Sequence, residues 1–184
     1  MSRILAVDAG FNSTGCAVLE LDSKPPSLVR ARALVFLKTD KKRQLRTSDT
    51  LAEHAGWLFD QLVAETAGCR AVIVEMPSGG AKSAIAMRAM GITIGVLAAV
   101  REATKLPTVW VSPGDSKAAA CGKLAASKRE MQAAMLREYP SLDAFLPRRG
   151  GKIVQGKAEH IVDAVAAYHA ARGADVLRML ASNH

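Results

Sequence analysis

Few cysteines and few aromatic residues occur in this sequence, and each shortage excludes a class of protein. Three cysteines, Cys16, Cys69 and Cys121, lie far apart, and no Cys-x-x-Cys pair is present. An odd number at this spacing is typical of buried thiols in a reducing compartment rather than of disulfides or a zinc site. Aromatic residues make up 4% of the chain, which argues against a single-strand binder that stacks bases on aromatic rings.

Long hydrophobic runs are also missing. The longest weakly polar run, 91–100, is too short to cross a bilayer and is bracketed by Arg88 and Arg101. From Arg3 the chain passes straight into Ile-Leu-Ala-Val-Asp, without the long apolar core and cleavage site of a signal peptide. We therefore expect a cytoplasmic protein with no membrane partner.

Charge, by contrast, is plentiful and unbalanced. The 184 residues carry a net charge of +8, which favours a polyanionic partner such as nucleic acid. Basic residues cluster at 38–46, at 117–129 and at 148–157. The third cluster surrounds Gly150-Gly151, so we predict a flexible basic loop at about 140–156. The length and the ordinary globular composition predict one domain spanning 1–184.

The order of apolar segments predicts an α/β fold. Strands are expected at 3–9, 14–21, 28–37, 71–75 and 107–112, and helices at 48–66, 82–104, from 113, at 127–139 and at 157–172. This order indicates a five-stranded mixed sheet, in which a three-strand antiparallel meander is joined by two parallel strands and flanked by helices. The first and fourth strands should be parallel neighbours.

Four polar residues lie where an apolar core disfavours them: Asp8, Glu75, His160 and Asp163. The two strand acids fall at the carboxyl ends of adjacent strands, where ligands of such sheets collect. His160 and Asp163 are three apart on the last predicted helix and share one face. Converging carboxylates need a cation, and this set suits Mg²⁺ or Mn²⁺. Two such ions per site can drive phosphodiester hydrolysis without a covalent nucleophile.

Each residue also has a plain structural alternative. Asp8 can accept hydrogen bonds from turn amides, Glu75 can form a salt bridge at a strand end, and His160 can be a satisfied core imidazole. Asp163 is harder to explain in this way, because the neighbouring Ile-Val and Ala-Val pairs are apolar.

Four motifs, taken in order, resemble the RuvC family of Holliday-junction resolvases in the ribonuclease H-like superfamily. They are Ile-Leu-Ala-Val-Asp-Ala-Gly-Phe-Asn-Ser-Thr-Gly at 4–15, Val-Ile-Val-Glu at 72–75 with the small-residue helix to 100, the Gly/Lys segment at 122–128, and His-Ile-Val-Asp-Ala at 160–164. The resemblance implies a ribonuclease H-like fold and a RuvC-like nuclease domain. It implies that Asp8 bridges two metal ions, that Glu75 holds one, and that Asp163 with His160 holds the other.

The same resemblance implies an endonuclease that binds four-way DNA junctions as a homodimer and nicks two strands symmetrically. The helix at 82–100 would lie in the dimer interface. Lys117, Lys123 and Lys128 match the basic region and are expected to contact phosphates. Many family members carry an aromatic residue within a few residues of the second acid. Here 76–80 reads Met-Pro-Ser-Gly-Gly, and Phe11 is a candidate substitute.

Three other functions stay open at this point. One is a ribonuclease H-fold nuclease for flaps or other structured nucleic acid. Another is an actin- or sugar-kinase-like phosphotransferase, since Asp-x-Gly-x-x-x-Thr-Gly also resembles the phosphate loop of those proteins. The last is a non-catalytic nucleic-acid-binding module, against which the complete set of acids argues.

Overall fold

A five-stranded mixed sheet lies at the centre of the protein. A computed structural model describes residues 2–36, 47–77 and 83–182. The strands are β1 (Arg3–Asp8), β2 (Thr14–Glu20), β3 (Ser27–Leu34), β4 (Cys69–Glu75) and β5 (Thr108–Val111), arranged in the order β3-β2-β1-β4-β5. The pairs β1–β2 and β2–β3 are antiparallel, and β1–β4 and β4–β5 are parallel. The predicted fold class, including the first and fourth strands as parallel neighbours, is confirmed.

Helices cover both faces of this sheet. They are α1 (Thr47–Glu65), α2 (Ala84–Thr104), α3 (Pro113–Cys121), α4 (Lys128–Glu138), α5 (Gln155–Ala171) and α6 (Asp175–Ser182). Apolar residues of α1 and α2 pack on one face, and those of α4 and α5 pack on the other. Ser83, Ser112 and Ser127 cap α2, α3 and α4, each accepting a hydrogen bond from a backbone N–H of the first turn.

The two-residue period of the strands decides which face each acid occupies. In β1, Ile4 and Ala6 belong to the core beneath α5, whereas Leu5 and Val7 belong to the core beneath α1 and α2. Successive side chains alternate between faces, so Asp8 continues the α5 face. The same alternation in β4 places Glu75 there as well.

The segment predicted to be irregular, 140–156, has regular structure instead. It contains a 3₁₀ helix (Pro140–Phe145) and a hairpin of two short strands, β6 (Arg148–Arg149) and β7 (Lys152–Ile153). Strands of two residues are too short to produce a recognisable sequence period. Further differences are the starts of β4 and α5, each two residues earlier than predicted, and the additional helix α6. Flexibility of the hairpin stays a prediction, and the basic segment 38–46 lies outside the described residues.

Candidate active site at the carboxyl edge of the sheet

The two strand acids are direct neighbours. In the parallel pairing of β1 with β4, Asp8 lies opposite Glu75, and adjacent strands are separated by about 4.8 Å. Glu75 is 8% exposed, and the side chain of Asp8 is 16% exposed. Two carboxylates of low exposure therefore share one edge and one face of the sheet.

Helix α5 brings the other two predicted site residues to the same edge. The Nδ1 atom of His160 lies 2.6 Å from Oδ2 of Asp8 in a hydrogen bond. Asp163, one turn further along α5, shares a cleft with Glu75. The structure therefore brings together all four residues that the sequence singled out.

Close packing of α5 on β2 depends on Gly15. A Cβ atom at this position would lie 1.8 Å from the backbone oxygen of His160 and 2.3 Å from its carbonyl carbon. No side chain fits in that space, so glycine allows the helix backbone to reach the strand beside Asp8. In the sequence, Gly15 belongs to the Thr-Gly motif, and nothing local signals this packing role.

Two acids of the cleft, Glu75 and Asp163, have raised pKa values. Burial raises the pKa of Glu75 from 4.5 to about 7, Ser116 and Lys117 oppose the rise, and the neighbouring Asp8 and Asp163 add to it. Burial likewise raises the pKa of Asp163 from 3.8 to about 6, with Asp8 adding and Lys128 and His160 opposing. Desolvated, mutually repelling carboxylates hold their protons more tightly. A cation in this cleft would offset both effects, because its attraction favours the ionised carboxylates.

The pKa of His160 is also raised, but by a different cause. Its hydrogen bond to Asp8 raises the pKa of the imidazole, although burial opposes the rise. The side chain of His160 is 30% exposed, so the plain alternative of a satisfied core imidazole does not describe it.

The donor set fits a hard divalent cation by its chemistry. Three carboxylates and one imidazole supply mainly oxygen ligands, which Mg²⁺ and Mn²⁺ prefer. Among residues 2–36, 47–77 and 83–182, however, no three His, Cys, Asp or Glu side chains are grouped closely enough to form a ligand shell. The hydrogen bond from His160 occupies Oδ2 of Asp8. Each carboxylate has two oxygens, so this bond leaves one oxygen of Asp8 for another partner.

Ser116 is a residue of the cleft that the sequence did not reveal. It is 1% exposed, and its Oγ has no hydrogen bond of ordinary geometry within the described part of the chain. Its hydroxyl lies near the Glu75 carboxylate and opposes the rise in the pKa of that group. A buried hydroxyl without a partner is unusual in proteins. Its position in the first half of α3 gives no recognisable sequence signal.

The three lysines predicted to contact phosphates differ in their surroundings. Lys117 lines the cleft together with Glu75 and Asp163. Lys123 pairs with Glu130 at 2.5 Å, and Lys128, also at the cleft, forms an ion pair with Glu159. Lys117 is therefore the cation best placed to attract a phosphate to the acids. Phosphate binding by all three stays a prediction.

Phe11, the candidate substitute for an aromatic residue near Glu75, packs against other rings. Its ring centroid lies 4.0 Å from that of His54, which stacks on Phe36 at 4.3 Å. His54 is buried, and burial lowers its pKa. The packing explains Phe11 as part of an aromatic cluster beneath the first turn.

Helix α2 has an exposed apolar face away from the cleft. Exposed positions recur at Met87, Gly91, Ile94 and Ala98, which lie on one side of the helix. Within the described residues, α2 is the one helix long and apolar enough to cross a bilayer by length and composition. Exposed apolar faces of this kind mark contact surfaces.

No protein-family model matches the sequence, and no curated protein matches it. Solved structures do resemble its fold. Thermus thermophilus RuvC in complex with a Holliday junction substrate matches with a TM-score of 0.68 and 16% identity, over 98% of each chain. The yeast mitochondrial Holliday junction resolvase Ydc2 matches with a TM-score of 0.64 and 12% identity, over 100% of this chain and 85% of that one. The chain therefore has the ribonuclease H-like fold of RuvC resolvases.

Proposed function

We propose that this chain is a metal-dependent endonuclease that binds four-way DNA junctions and nicks two strands symmetrically. The observation that carries the proposal is the meeting of Asp8, Glu75, His160 and Asp163 at one edge of a RuvC-like fold. Within this fold, that edge combines one buried and two half-buried acids with nearby lysines. Such a pairing suits a phosphodiester, whose reaction requires both charge neutralisation and an activated water.

Asp8, Glu75 and Asp163, with His160, would hold two Mg²⁺ or Mn²⁺ ions. Bound there, the ions would activate the attacking water and stabilise the departing oxygen. Asp8 is the last residue of β1, and its hydrogen bond to His160 fixes α5 to that strand. His160 keeps a proton on Nδ1 and so orients the Asp8 carboxylate. Lys117 and Lys128 at the cleft would attract the DNA backbone.

A homodimer is part of the proposal. The exposed face of α2 at Met87, Gly91, Ile94 and Ala98 is apolar and contains small residues, which permit two helices to approach closely. We propose that a second copy of the chain covers this face of α2. A membrane is disfavoured, because the charged Arg88 is exposed beside Met87 on the same helix. Two copies related by a twofold axis would present two cleavage sites to a symmetric junction.

We also propose a cytoplasmic location. Cys16, Cys69 and Cys121 are all free thiols, and thiols persist in a reducing compartment.

The test is cleavage of a synthetic four-way junction with Mg²⁺, with Mn²⁺ and with a chelator. We expect cleavage with either metal and none with the chelator. Asp8→Asn should abolish cleavage and leave junction binding intact or tighter, because one repelling charge is removed. Asp60→Asn, an exposed acid on α1 across the sheet, is the matched control and should cleave normally. Normal cleavage by Asp8→Asn, or by the wild type in chelator, would contradict the proposal.

Substrate competition separates the junction from other branched nucleic acids. The wild type should prefer a four-way junction over a flap or a linear duplex of the same sequence. Equal cleavage of a flap would instead favour the broader ribonuclease H-fold nuclease.

A further inference from the structure

The hairpin β6–β7 is a preformed arm. Its two-residue turn, Gly150-Gly151, has φ values of 57° and 76°. Positive φ at both central positions is characteristic of a type I′ turn, whose twist matches that of the paired strands. Glycine adopts this conformation without steric cost. The chain is therefore built to make a tight hairpin at this point.

The base of the hairpin is fixed to the body of the protein. Arg148 contacts Oδ1 of Asp143 at 2.6 Å, and the N–H of Val154 donates to the carbonyl of Pro147 at 2.8 Å. Ile153, opposite Arg148 in the pairing, packs against the core beneath α5. One side of the hairpin thus faces the protein.

The other side presents two like charges. Arg149 and Lys152 lie directly opposite each other in the pairing and are both exposed. Within the described residues, neither forms an ion pair, in contrast to Arg148, Lys123 and Lys128. Like charges directly opposite each other destabilise a strand pair. An anion held between them would turn this repulsion into attraction.

The hairpin lies close to the cleft along the chain. Helix α5 begins at Gln155, two residues after β7, and His160 follows five residues later. The five residue steps from Gln155 to His160 span about 7.5 Å of helix. That length corresponds to about two base pairs of duplex at 3.4 Å each. A duplex arm that enters the cleft along the N-terminal end of α5 would pass within reach of Arg149 and Lys152.

We propose that the β6–β7 hairpin is a second DNA-binding element, which grips the phosphate backbone of the duplex arm beside the cleavage site. This inference rests on the proposed function and adds a contact to it. Arg149 and Lys152 each contact a backbone phosphate, and the glycine turn holds the two cations side by side. Such contacts position a duplex and carry no sequence information.

The test is DNA binding by Arg149→Gln/Lys152→Gln, measured in chelator across a range of salt concentrations. The slope of log K against log [salt] should become shallower by about 1.8, which is 0.9 for each lost phosphate contact. The affinity should therefore fall by up to about 60-fold at 0.1 M salt and converge with that of the wild type towards 1 M. The loss should be similar on a junction and on a linear duplex.

Two controls make the result specific. Arg70→Gln/Arg101→Gln removes the same charge at exposed positions away from the hairpin and should leave a slope close to that of the wild type. Gly150→Val retains both cations but places a β-branched residue at a φ of 57°, so it should weaken binding. Gly150→Asn, which tolerates that φ, should restore binding. The melting temperature of the double variant should be unchanged or raised, because a repulsion is removed.

The outcomes separate the two proposals. A wild type that binds and cleaves junctions, together with a double variant whose slope equals that of the wild type, would overturn the role of the hairpin alone. Equal losses of DNA affinity in the double variant and in the Arg70/Arg101 control would also overturn the role of the hairpin, because the effect would then come from net charge. A wild type that binds neither duplex nor junction would overturn both proposals.

Discussion

The raised pKa of Glu75 predicts an unusual pH dependence of stability. Burial raises this pKa from 4.5 to about 7, so the folded protein binds a proton more tightly than the unfolded chain does. The contribution to stability is complete below pH 4.5 and is lost as the pH rises through about 7. At about 1.36 kcal/mol for each pKa unit, the metal-free protein should lose about 3 kcal/mol of unfolding free energy from this residue over that range.

The perturbation that isolates this effect is Glu75→Gln. The amide has nearly the same shape and does not titrate, so the variant should lose the Glu75 part of the pH dependence. Between pH 5 and pH 8, the free energy of unfolding should fall by about 2.5 kcal/mol more in the wild type than in the variant. Asp163, whose pKa is about 6, adds a similar dependence that both proteins share.

The assay is denaturant unfolding in chelator at pH 5, 6, 7 and 8. A divalent ion that binds the folded protein alone stabilises it by mass action, so Mn²⁺ should restore wild-type stability at pH 8 and have much less effect on Glu75→Gln. Equal pH dependence in the two proteins would refute the reasoning, because Glu75 would then not be a desolvated, repelled carboxylate.

Three further predictions concern packing, assembly and phosphate binding. Gly15→Ala should cost about 3 kcal/mol of stability and most of the cleavage activity, because the new Cβ would overlap the His160 carbonyl. Gly56→Ala, whose new Cβ would meet open space, is the control. Equal stability of the two variants in thermal unfolding would contradict the packing role. Ile94→Glu should yield a monomer in light scattering and separate the two nicks in time. Val29 is 39% exposed and Ile94 is 37% exposed, so Val29→Glu is the control and should have neither effect. A dimeric Ile94→Glu would place the interface elsewhere. Lys117→Gln should reduce the salt slope of junction binding by about 0.9, and an unchanged slope would remove Lys117 from the phosphate contacts.

The sheet and its acids were predictable because their patterns are local and strong. Val-Ile-Val before Glu75 and Ile-Leu-Ala-Val before Asp8 are apolar runs that end in an acid, and the strand period fixes the face of each. On α5, the three-residue spacing of His160 and Asp163 fixes their common side. These features need no knowledge of distant contacts.

What escaped prediction depends on contacts between distant segments. The 3₁₀ helix at Pro140–Phe145 is held by burial of Leu142 in the core and gives no periodic signal. The hairpin is the exception: its Gly150-Gly151 turn is local, but its strands of two residues are too short to show a period. The hydrogen bond of His160 to Asp8, 152 residues apart, and the ion pair between Lys128 and Glu159 are equally invisible in the sequence.

Binding of Mn²⁺ to the metal-free protein, measured by titration calorimetry at pH 8, tests most directly whether the four residues make one cation site. The wild type should take up two ions per chain, and Asp163→Asn should lose at least one of them while Asp60→Asn loses none. Uptake of ions that is the same in Asp163→Asn as in the wild type, or no uptake by the wild type, would contradict a metal site at this edge of the sheet.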